Sequence, residues 1–144
     1  MSLDAAYDRE NIFAKILRGE LPAVKVFEDG EALAFMDIFP QSRGHLLVIP
    51  KRSTAVNLLD EDDAILGTLI LRAQSIARAV VKALHPDGVR VAQFNGAAAG
   101  QTVFHLHFHI IPVYSGTSLA PHAGGRADPA ELEALAAKIR AALS

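Results

Sequence analysis

The chain has 144 residues, 51% of them hydrophobic and 21% charged, which suits one folded domain and excludes general disorder. Lysine and arginine total 14 against 16 aspartates and glutamates, a net charge of −2 that excludes a broad electrostatic grip on nucleic acid but not a pocket for one nucleotide. There is no cysteine, so thiol catalysis, disulfides and cysteine-ligated zinc are excluded as well. No uninterrupted apolar run approaches the ~18 residues of a membrane span, and the polar opening stretch carries no signal-peptide core. A cytoplasmic enzyme or binding domain, without membrane contact, is therefore expected.

Residues 1–10 lack periodicity and are expected to be flexible. A short helix follows over 11–18, with Ile12 and Ile16 paired at i,i+4 and Gly19 as its stop. Strands are predicted over 25–28 and 32–36, joined by a turn at Asp29 and Gly30. A third strand, 45–49, is a nearly continuous apolar run that ends at Pro50. Asp60 is the predicted N-cap of a long helix, which stops at His85-Pro86 because the residue before proline avoids the helical region. Strands are predicted over 89–94 and 103–111, with a small-residue loop from Asn95 to Gly100 between them. Residues 115–126 read as loop. Asp128 caps a final helix with Pro129 at its first position and an apolar stripe of Leu132, Leu135, Ile139 and Leu143. Short hairpin strands mixed with helices predict an α+β fold with an antiparallel sheet.

His105, His107 and His109 alternate with Leu106, Phe108 and Ile110. In a strand, alternate side chains share a face, so the three imidazoles are expected on one open face and the apolar residues in the core. Two such rings could share a zinc ion. The full row spans ~13 Å, however, whereas zinc wants each nitrogen at ~2.0 Å. An extended phosphate group suits the row better: a neutral imidazole is a nucleophile near neutral pH, and its neighbours can hold charge or a proton. The Gly/Ala loop before it can bring backbone N–H groups to phosphate oxygens.

The stretch from Gly100 to Pro112 closely resembles the signature of the histidine triad (HIT) family, and the resemblance extends over residues 11–22, 34–40 and 43–51. It implies an α+β antiparallel sheet of about five strands flanked by helices, with sheets joined across a homodimer. The domain would cover 11–114, with a C-terminal loop and helix, 115–144, packed on or near it. It further implies a hydrolase or transferase acting at the α-phosphate of a purine nucleotide, with no cofactor. His107 would be the nucleophile. His105 and His109 would contact phosphate oxygens and orient it, and Gln101 and Thr102 would contact the phosphate and leaving group. Asn95 would supply an amide on the phosphate side, and Asp37 would accept the ribose hydroxyls. Ile12, Phe13, Phe35 and Ile38 would line the base pocket, and His45 would brace the triad from behind. His85 and His122 are read as structural and solvated.

The third triad position is Gln in the family's uridylyltransferase branch, and His109 here points to hydrolysis. Asn11 and Ala14 stand where several relatives carry the cysteines of a zinc site, so no metal is expected. After Pro112 the chain departs from the family's subgroups at Val113. Phosphoramidates, dinucleoside polyphosphates, and nucleotide binding with slow residual hydrolysis all stay open as functions. The loop 119–126 is expected to approach the partner subunit's site.

Overall fold

The computed structural model describes residues 2–121 and 124–143, so His122 lies outside the described residues. Helix α1 (Ile12–Leu17) starts where the Asn11 side chain accepts from the Ala14 N–H, and strands β1 (Lys25–Glu28) and β2 (Ala32–Met36) follow. Asp29 closes their hairpin by accepting from the N–H groups of Glu31 and Ala32. Arg72 then bonds the same carboxylate at 2.7 Å and ties the turn to the long helix. After β3 (Leu46–Pro50) that helix, α2, runs over Asp63–Leu84.

The cap of α2 is Asp62, which accepts from Ala64 and Ile65, and not Asp60. Asp60 instead closes a capping box with Asn57 around a short 3-10 turn, because the chain makes one extra turn before the helix starts. The helix ends at His85, which adopts the left-handed conformation at φ 52. By length and composition alone α2 is long and apolar enough to cross a bilayer, although Arg72 and Arg78 interrupt its apolar runs. Six of its residues, Leu69 to Leu84, are buried, which is how the core helix of a folded domain uses its apolar stripe.

Strands β4 (Gly88–Ala92) and β5 (Phe108–Val113) complete one five-stranded sheet, ordered β1-β2-β3-β5-β4, with every described pairing antiparallel. Helix α3 (Pro129–Ala142) starts at Asp128 as predicted and buries Leu132, Leu135 and Ile139.

The sheet is covered on both faces. Ala34, Met36, Leu46, Val48, Leu106, Phe108 and Ile110 pack with α2 and α3. Leu33, Phe35, Leu47 and Ile49 pack with Phe13 of α1. Register decides the site: Leu47 pairs with His109, so His109 is carried on the α1 face. The bend into β3 needs Gly44, whose φ is +94 and where a Cβ would lie 2.4 Å from a methyl of Leu84.

Candidate active site

Only His109 of the triad lies in a regular strand, since β5 begins at Phe108 and residues 103–107 follow an irregular path. The predicted strand over 103–111 is therefore shorter at its start. The open histidine face is also overturned: His105, His107 and His109 are 0%, 6% and 2% exposed. The cause is α1, which lays Phe13 over that face, edge-on to His107 with ring centroids 4.9 Å apart. The alternation itself holds, with Leu106, Phe108 and Ile110 in the main core.

Backbone groups set the tautomer of each ring, because a main-chain N–H can only donate and a C=O can only accept. His107 Nδ1 lies 2.7 Å from the His105 carbonyl and so carries the proton, which leaves Nε2 with the lone pair. The Gln41 N–H donates to His45 Nδ1 at 2.9 Å, so His45 Nε2 carries the proton. That N–H faces His109 Nδ1 at 3.0 Å, and an Asp37 oxygen lies 3.4 Å from the same His45 nitrogen. The neutral His109 ring consequently holds its own proton on Nε2. His105 Nε2 donates to the Pro50 carbonyl at 3.1 Å, and its Nδ1 accepts from the Tyr7 hydroxyl at 2.6 Å.

Burial holds the His105 pKa below its ordinary 6.5, with the Pro50 hydrogen bond working weakly the other way. As pH falls below 6.5 the unfolded imidazole binds a proton that the folded one resists. The stabilising contribution of neutral His105 is thus complete above that pH and is lost as pH falls towards the depressed folded value. Thermal melts from pH 8 to pH 5 are expected to show a steeper acid loss of Tm in the wild type than in His105→Gln. Equal slopes would refute this assignment.

His107 and His109 line a cavity with Ile12, Phe13, Phe35, Asp37, Ile38 and Thr102, so the structure gathers these predicted residues in one place. The space between these residues, counted out to the open mouth and the solvent there, is about 680 Å³. Phe39 also lines it, 37% exposed, and its own N–H caps Asp37 Oδ1 at 2.8 Å. Phe39 was not predicted, because an aromatic residue before proline in a loop carries no periodic signal. Nor were Tyr7 and Phe94, the latter packed 5.3 Å from His109.

Asn95 and Gln101 hold the neighbouring loop. Asn95 Oδ1 accepts from the Leu58 N–H and from Gln93. Gln101 is buried, donating to the carbonyls of Val56 and Val103 and accepting from Gly96. The segment after β5 folds back on its own protomer. Ala120 N–H donates to Gln41 O at 2.8 Å and Ala127 N–H to Ile38 O at 2.9 Å, on the loop that rims the cavity.

Asp37, His45 and His109 each bring one potential ligand atom within 4.8 Å of the others. They do not fit a metal ion. Gln41 occupies the lone pair of His45 Nδ1, so the Nε2 nearest the other two keeps its proton and cannot ligate.

The HIT domain family matches residues 18–116 of the chain. A HIT-like protein of Bartonella henselae involved in cell-cycle regulation, solved with an unknown ligand, has a TM-score of 0.91 and 53% identity, covering 96% of this chain and 100% of that one. A zinc-bound histidine triad protein from Mycobacterium smegmatis has a TM-score of 0.82 and 39% identity over 93% of each chain. An adenylylsulfatase of Arabidopsis thaliana is 41% identical over 101 residues, 70% of this chain and 51% of its own length. The chain belongs to the HIT family, which includes hydrolases and nucleotide-binding proteins.

Proposed function

We propose that this protein hydrolyses purine nucleoside phosphoramidates or related nucleotidyl compounds at the α-phosphate, through a nucleotidyl-histidine on His107. The observation that carries the reading is the tautomer of His107: its Nδ1 proton is held by the His105 carbonyl at 2.7 Å, so Nε2 is the basic nitrogen of a ring that lines the cavity.

Nε2 attacks phosphorus, and the bond to the leaving group breaks with its electron pair. The leaving amine takes a proton from water at the open mouth. Positive charge then develops on the His107 ring, where the His105 carbonyl offsets it. His109 Nε2–H donates to a phosphoryl oxygen. Water attacks phosphorus next, His107 leaves, and a nucleoside monophosphate is released. Asp37 takes the ribose hydroxyls, while Ile12, Phe13, Phe35 and Ile38 sandwich the base.

The test is cleavage of an adenosine phosphoramidate, with and without EDTA, beside diadenosine polyphosphate and adenylylsulfate. Chelator-insensitive cleavage fastest on the phosphoramidate is expected. Preference for the polyphosphate would replace this substrate class. Nucleotide binding without turnover on any of the three would make the protein a binding module.

The active form is proposed to be a homodimer joined at β4. That strand is the sheet edge, Val91 on it is 48% exposed, and Ile70 and Val81 of the adjoining α2 are 42% and 46% exposed. Val89 and Val91 line one shallow groove with Ile70, Ala77 and Val81. A free apolar strand edge is a template for pairing with a second copy. Val91→Arg is expected to convert a dimer to a monomer in sedimentation experiments. A monomeric wild type, or a dimeric variant, would overturn the assignment.

A further inference from the structure

We infer that Tyr7 is a positioning residue for the nucleophile, acting through His105. The inference rests on the reading of His107 given above.

The Tyr7 hydroxyl bonds His105 Nδ1 at 2.6 Å, with the two rings 5.6 Å apart, across 98 positions of sequence. The segment that presents Tyr7 is itself tied down. Asp8 accepts from the Asn11 and Glu10 N–H groups, and Arg18 bonds the Arg9 carbonyl at 2.7 Å.

His105 has two duties in one residue. Its ring is fixed at both nitrogens, by Tyr7 and by the Pro50 carbonyl. Its own carbonyl holds the Nδ1 proton of His107. Residues 103–107 lie outside any strand, so no ladder of hydrogen bonds sets the direction of that carbonyl. The next N–H, that of Leu106, bonds Ala55 O at 3.0 Å and supplies one anchor. The His105 ring supplies the others, one of which is Tyr7. Without its hydroxyl the ring keeps Pro50 alone and gains freedom about its χ angles. The carbonyl then wanders, and His107 populates the tautomer with its proton on Nε2, which is no nucleophile.

Tyr7 touches neither substrate nor the reacting atoms in this account. Its loss therefore acts on kcat, with KM held, because the cavity lining is untouched. Tyr7→Phe keeps the ring contact and removes only the O–H, whereas Tyr7→Leu removes both. Both variants are expected to lose about tenfold in kcat, the scale of one hydrogen bond, with KM within about twofold, and to melt a few degrees lower because the buried His105 Nδ1 loses its partner. Imidazole nitrogen chemical shifts of His107 are expected to show a lower share of the Nδ1–H tautomer in Tyr7→Phe, with no substrate present.

Wild-type kcat in Tyr7→Phe would overturn the inference, and if Tyr7→Leu alone were slow the effect would be ring packing. Absence of turnover in the wild type would sink the proposed reaction instead. The inference would then be decided by the tautomer measurement, and an unchanged His107 spectrum in Tyr7→Phe would overturn it.

Discussion

His107→Ala is expected to lower turnover of an adenosine phosphoramidate by about 10⁴-fold or more, since it removes the atom that bonds to phosphorus. The chain still folds, but not without cost. An outward ring on an open strand would carry little packing, yet His107 is 6% exposed and meets Phe13 edge-on at 4.9 Å. Truncation leaves a small void beneath α1 and leaves the His105 carbonyl without its donor. A loss of about 1–3 kcal/mol follows, readable by urea unfolding. Turnover within tenfold of the wild type would defeat the covalent mechanism. A variant that did not fold would be replaced by His107→Asn, which is closer in size and still cannot bond to phosphorus productively.

The second large effect lies behind the triad. His45→Ala is expected to cost about 3 kcal/mol of stability and about 100-fold in kcat. His45 is fully buried between a backbone donor, the Gln41 N–H, and His109 Nδ1, with the Asp37 carboxylate 3.4 Å from Nε2. Removing the ring leaves the Gln41 N–H and the His109 nitrogen short of partners in a region closed to water. It also frees His109 to carry its proton on either nitrogen, so the donor aimed at phosphate is present for only part of the time. Urea unfolding and steady-state kinetics read the two effects separately. Unchanged kcat in a folded variant would show that His45 braces structure alone.

The loop that rims the cavity joins these pieces to the end of the chain. Ala127 and Ala120 bond Ile38 and Gln41, and the Gln41 N–H in turn orients His45. Ala120 within the 119–126 loop and Ala127 just after it are thus bonded to the cavity rim of their own protomer. Removing everything after Ser115 would also strip α3, whose Leu132, Leu135 and Ile139 belong to the main core, so such a truncation tests folding before it tests specificity.

By itself, the sequence determined the elements whose signals are local. The hairpin at Asp29 and Gly30, the cap of α3 at Asp128, the halt at His85-Pro86 and the alternation of Leu106, Phe108 and Ile110 with the histidines all depend on neighbours within a few positions. The motif also named eight of the residues that the cavity brings together, among them Ile12, Asp37 and His109, but not Phe39, and it named Asn95, Gln101 and His105, which do not line it. The tertiary structure decided what depends on distant partners. Whether the histidine face is open or covered turns on α1, more than 90 positions earlier in the chain by the Phe13-to-His107 spacing. The start of β5 depends on where β3 and β4 offer partners, and they do so only from Phe108 onward. Which nitrogen of each imidazole bears its proton depends on single backbone groups, the Gln41 N–H and the carbonyls of His105 and Pro50. Periodicity carries no information about such pairs, because a hydrogen bond across the fold leaves no spacing in the chain.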